Sequence, residues 1–121
     1  MVYFTLDNAR ELRKSVLENV EEQANTIAAD IANQSCTLEE VLDSVKWRIR
    51  NQPQENTFKV GVLTRPILDM NTINRIGSER ITPKLQKLLE DKYRDSFPDF
   101  RIEKDREKDF VFYMRVTFHS A

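Results

Sequence analysis

The sequence is poor in the residues that break, cross-link or ligate: two glycines, four prolines, one cysteine and one histidine among 121 residues. So little Gly and Pro excludes collagen-like and low-complexity compositions. Phosphate cradles of the Walker or dinucleotide type need several glycines in one loop, and Gly61 falls inside a strand-like stretch. A lone Cys36 excludes an intramolecular disulfide, and one Cys with one His leaves too few ligands for a zinc site. No metal and no cofactor are expected. The longest unbroken apolar run, Phe110 to Met114, is too short to span a bilayer as a helix, so no membrane association is expected. Met1 to Thr5 lacks a basic leader followed by an apolar run, so no signal peptide is expected. The single thiol then points to a cytoplasmic, reducing compartment.

Hydrophobic residues make up 40% of the chain and charged residues 32%, enough apolar content to bury a core in one domain covering residues 1–121. Net charge is −1, but its distribution is uneven. Residues 1–43 carry three basic and nine acidic side chains; residues 44–94 carry eleven basic and five acidic. The acidic first segment and the basic middle either face each other or leave a basic surface for an acidic partner.

Apolar residues at Ala9, Leu12, Val16, Val20, Ala24, Ile27 and Ile31 keep helical spacing, with Asp7 expected as the cap and an end near Asn33. Such a helix is about 40 Å long, against a radius of gyration near ~14 Å for a globule of this size. It must span the domain, project from it, or break near Asn25-Thr26. Thr37 and Glu40 have capping-box spacing and open a second helix. Its Leu38, Val41, Leu42, Val45 and Ile49 lie within about 100° of arc, which predicts one buried face. Thr57 to Arg65 alternates like a strand. Asp69 caps a short helix through Ile73 and Ile76, with Gly77 at its end. Thr82-Pro83 is expected to open the next helix, burying Leu85, Leu88, Leu89 and Tyr93. A hairpin comes next, from Phe100 and Ile102 through a charged turn at Asp105–Lys108 to Phe110–Phe118. The last strand, being the most apolar, is placed centrally. The fold class is therefore α+β in the order ααβααββ. The long first helix and the second helix pack with a small, mostly antiparallel three-stranded sheet, and residues 2–5 offer a short fourth edge strand.

No constellation names a reaction, and no catalytic residue is assigned. His119 is too close to the chain's end to serve as a fixed general base. Cys36, just before a helix, is a conceivable low-pKa thiol. A small enzyme would need a pocket collecting Asp69, Glu79 and Arg80 around the Gly77 turn. The acidic pairs Glu21-Glu22, Glu39-Glu40 and Glu90-Asp91 fall on helix faces pointing to solvent.

Trp47 is the most informative residue. It lies opposite the aliphatic side of the second helix, flanked by Lys46, Arg48 and Arg50. Exposed tryptophan is unusual, and Trp and Arg dominate interface energies. The expectation is a non-catalytic protein–protein interaction or assembly module, self-associating or part of a larger complex, whose partner is itself or another protein. Trp47, Lys46, Arg48 and Arg50 would be partner-binding. The alternative is a nucleic-acid-binding module on residues 44–94. There Trp47 stacks on bases, while Arg65, Arg75, Arg80, Lys84 and Lys87 join the Trp47 arginines in contacting phosphates.

Overall fold

The expected element order is the one observed in a computed structural model of the chain, which describes residues 3–119. Four helices and three strands succeed one another as α1 (Leu6–Ala32), α2 (Leu38–Asn51), β1 (Thr57–Leu63), α3 (Met70–Ile76), α4 (Ser78–Lys92), β2 (Phe100–Lys104) and β3 (Phe112–Thr117). The sheet is antiparallel in the order β1-β3-β2, with the apolar last strand in the centre.

Helix α1 is capped by Thr5, two residues before the expected Asp7. The Thr5 hydroxyl oxygen accepts from the Asn8 N–H at 3.1 Å, and the Asn8 side-chain oxygen accepts from the Thr5 N–H at 3.1 Å. This reciprocal box satisfies two backbone donors at once, whereas Asp7 lies in the first turn, where its charge faces the positive end of the helix. Capping takes the place of the expected edge strand at residues 2–5. Tyr3–Thr5 carry no strand, and Val2 lies outside the described residues. No break occurs at Asn25-Thr26. The Thr26 hydroxyl donates to the Glu22 carbonyl at 3.1 Å inside an unbroken helix.

Helix α4 also departs from expectation. It starts at Ser78, not at Thr82-Pro83, so Pro83 lies inside it. Gly77, at φ 100°, turns the chain sharply between α3 and α4, and its N–H donates to the Ile73 carbonyl at 2.7 Å. The extra turn places Ile81 in line with Leu85 and Leu89, all fully buried. That burial outweighs the backbone hydrogen bond that proline cannot donate.

The core lies between the helices and one face of the sheet. Phe58, Val60 and Val62 of β1, Ile102 of β2 and Phe112, Met114 and Val116 of β3 point into it. A register shift between Gly61 and Leu63 turns Leu63 inward as well. The opposite face of the sheet is polar. Arg115 donates to both carboxylate oxygens of Glu103, at 2.8 and 3.2 Å, and Arg101 lies 3.1 Å away. Hydrogen bonds from Arg115, aided by its charge and that of Arg101, hold the Glu103 carboxyl below its ordinary value of 4.5. A carboxyl whose folded value is lowered stabilises the fold above the unfolded value and loses that contribution as pH falls through the folded one. The wild type should therefore lose stability below about pH 4.5 more steeply than Glu103→Gln, as read from urea midpoints across an acid series. Equal slopes would remove Glu103 as a source of acid sensitivity.

Candidate functional site

Two stretches of exposed apolar surface stand out among the described residues: the N-terminal half of α1 and one side of α2. The first arises from length. Helix α1 is buried only at Ala24, Ala28, Ile31 and Ala32, where it packs on α4. The two run in the same direction, since Glu21 pairs with Lys84 near one end while Lys92 and Tyr93 reach Ser35 and Cys36 at the other. Upstream of Val20 the helix loses that cover. From Leu6 to Asn19 every residue except Ala9 is exposed. This arm is roughly 20 Å of bare helix. It retains the stripe that the core uses further along: Leu12 is 57% exposed, Val16 51% and Leu17 50%. Tyr3, Phe4 and Leu6 are exposed at its tip. Of the three solutions open to a helix this long, projection is the one found.

The second surface is on α2. Only Val41 and Val45 are buried. Leu38, Leu42 and Ile49, expected in the core, are exposed. The reason is that α2 packs against β1, an edge strand, and one strand cannot cover a 100°-wide stripe. On the other side Trp47 is 58% exposed. The Arg48 guanidinium carbon lies 5.8 Å from its ring centre, within cation–π range. Trp47 and Arg48 border a shallow hollow of about 380 Å³ shared with Asp43, Ser44, Val60 and Gly61. Lys46 and Arg50 are exposed beside it.

The other candidate residues are not gathered with Trp47. Arg75 and Lys84 stand on α3 and α4 against α1. The Arg75 guanidinium donates to the Gln23 side chain at 3.3 Å, and Lys84 pairs with Glu21. Lys87 lines the adjoining hollow between α4 and α1. Arg65 lies just beyond β1 and Arg80 in the first turn of α4, both exposed. Part of the basic middle thus faces the acidic first helix within the chain.

The chemical candidates are dispersed too. Asp69 caps α3, where its carboxylate accepts from the Thr72 hydroxyl at 2.7 Å, and Gly77 is at the other end of that helix. The cavity that includes Asp69, about 310 Å³ between α1 and α3, is lined by Ile27, Ile31, Gln34, Ile67 and neighbours, without Glu79 or Arg80. Cys36 does not have the lowered pKa that its position before α2 implied. Burial pushes the thiol up, the Glu40 carboxylate adds to this, and Lys92 offsets only part. Its backbone is fixed by the chain itself: its N–H donates to the Val62 carbonyl at 2.8 Å and its carbonyl accepts from the Tyr93 hydroxyl. His119 is exposed and bonds to the Asp99 carboxylate at 2.9 Å. Among the described residues no group of three or more His, Cys, Asp or Glu is placed to hold a metal ion. Nor is any helix among them long and apolar enough to cross a membrane.

No protein-family model, curated protein or solved structure matches this chain.

The sequence stripe contained Ala9, Leu12 and Val16 of the arm but did not divide the covered half from the bare one. Comparing helix length with globule size was the signal that could have done so.

Proposed function

We propose that this protein is a non-catalytic docking and assembly module whose main contact is the projecting arm of α1. The observation that carries the reading is the exposure of Leu12, Val16 and Leu17 on a helix that has left its own core. A helical stretch of about 14 residues without tertiary contacts is only marginally stable in water. Complete burial of each such side chain is worth roughly 1.5–3 kcal/mol. A partner that covers the stripe therefore both orders the arm and removes its apolar surface from water. Contiguous exposure of this kind marks interaction sites, whereas isolated exposed leucines need no explanation. The Trp47 side of α2, with Lys46, Arg48 and Arg50, is a secondary contact in the same reading. The lone thiol, raised in pKa by burial, is compatible with a reducing compartment.

The nucleic-acid alternative rests on Trp47 and its three basic neighbours. It draws less support from the rest of the basic middle, because Lys84 is engaged with Glu21 and Arg75 with Gln23.

The test is the native mass of the full chain isolated from the cells that make it. The wild type should run as a particle heavier than the 14.3 kDa chain, and the double substitution Leu12→Glu, Val16→Glu should run at the mass of the chain alone. Both positions are exposed, so the variant keeps the core. A wild type recovered at 14.3 kDa would remove the assembly reading. A heavier particle made up by nucleic acid and dispersed by salt would favour the alternative.

A further inference from the structure

We propose that the outer edge of β1, beside Trp47, is a strand-addition site for an extended peptide that alternates apolar and acidic residues. The site belongs to the Trp47 contact of the docking reading, on which it rests, and does not involve the arm.

Strand β3 lies between the other two, so β1 and β2 each have an outer edge. The Phe118 N–H donates to the Asn56 carbonyl at 2.7 Å, in the same register that pairs Phe58 with Val116 and Val60 with Met114. Bonded pairs alternate along an antiparallel ladder, so the N–H and C=O groups of Thr57, Lys59 and Gly61 point away from β3. On β2 the same alternation turns Ile102 outward. There the Gln86 side chain of α4 donates to the Ile102 carbonyl at 3.3 Å and covers the edge. On β1 only the far end is closed. The Cys36 N–H donates to the Val62 carbonyl at 2.8 Å, where the register shifts, and the Cys36 Sγ lies 3.8 Å from the Gly61 carbonyl. Among the described residues no hydrogen bond reaches the outward backbone groups of Thr57 and Lys59. An unpaired strand edge is a template for another strand, and extended backbone is the ligand that matches its spacing of donors and acceptors.

The surroundings of the edge set the side-chain pattern. Between α2 and β1 lies the hollow of about 380 Å³ lined by Asp43, Ser44, Trp47, Arg48, Val60 and Gly61. Side chains alternate between the two faces of a strand. A strand added to β1 turns every second side chain into this hollow and the others to the polar outer face of the sheet. In the hollow Asp43 and Arg48 offset each other and the indole supplies apolar surface, so the inward positions suit apolar residues. On the outer face Lys59 is exposed, its ammonium 4.4 Å from the Tyr113 ring centre. Glu103, two strands away on that face, is already held by Arg115 and Arg101. A carboxylate directly opposite Lys59 completes a cross-strand pair. The β1 strand of a second copy would instead bring another Lys59 and another α2 to the same edge, where neither is matched.

Trp47 is the one tryptophan of the chain, so its emission reports the site without a label. A capped heptapeptide alternating Val and Glu is added to the purified full chain up to about 1 mM. The emission should shift to the blue and saturate as the indole leaves water. The same peptide with its glutamate nitrogens methylated should give no shift, because the residues opposite Lys59 are the ones that exchange hydrogen bonds with it. A Val–Lys peptide should bind roughly fivefold more weakly, and Lys59→Glu should reverse that preference. Lys59 is exposed, so this variant keeps the core. No shift with the Val–Glu peptide, equal binding of the methylated one, or a preference indifferent to Lys59→Glu would overturn the proposal. So would an emission that moves on dilution of the chain alone, which would put a second copy at the edge. The double substitution Leu12→Glu, Val16→Glu leaves β1 untouched and should bind the peptide as the wild type does. Failure of the peptide therefore leaves the arm to be judged by native mass.

Discussion

Phe112→Ala should lower the stability of the folded chain by about 3–5 kcal/mol, the range for truncating a fully buried aromatic side chain. Phe112 has no exposed surface and stands in the central strand, opposite Leu63 on one side and Lys104 on the other. Neither neighbour can move in to fill the space without breaking its own ladder, so a cavity remains. A domain of this size has roughly 5–15 kcal/mol in all, so the variant should melt about 10–20 °C below the wild type. Phe4→Ala is the control. The same side chain is deleted, but Phe4 is exposed on the arm, and its melting temperature should stay within about 2 °C of the parent. Thermal melts followed by far-UV circular dichroism at low protein concentration read both. Equal shifts would mean that the arm belongs to the folding unit and that the division between core and arm is mistaken.

Gly77→Ala should cost about 1–3 kcal/mol through the backbone alone, the range for a side-chain-bearing residue held in a sparsely populated conformation. Gly77 is at φ 100° and ψ 125°, where only glycine is comfortable. An added Cβ would also meet the carboxylate of Glu79. That carboxylate ends a flexible side chain and can swing away, whereas the backbone angle is fixed by α3 and α4 packing on either side. The double substitution Gly77→Ala, Glu79→Ala separates the two causes. Its denaturant midpoint should stay close to that of Gly77→Ala; recovery to the Glu79→Ala value would assign the cost to the clash instead.

These two positions also show where sequence reading succeeds. Phe112 is legible because alternation with period two, from Phe110 to Phe118, leaves no other face for it. Gly77 is legible as a helix end because it closes the short stretch from Asp69 to Ile76. The start of α4 was not legible. Thr82-Pro83 carries a local signal for a helix start, yet the helix begins four residues earlier because Ile81 has a place in the core. That place is set by α1 and the sheet, which local rules do not see. The same holds for α2. Its five aliphatic residues form a clean stripe, but the width of the surface that receives them is set by β1 being at the sheet edge, so two are buried and three are not.

Taken by itself, the amino-acid order determined the class of fold, the succession of elements and the central position of the last strand. Those come from periodicity and from the need to bury the most apolar segment on both sides. It also determined that the first helix is too long for the globule. Only the tertiary structure decided which half of that helix the core covers, because coverage depends on where α3 and α4 pack along it. It likewise decided that Arg75 and Lys84 are spent on the first helix while Trp47 is left facing water. Contacts between distant segments are chosen by packing, and packing is a property of the assembled elements rather than of any one of them.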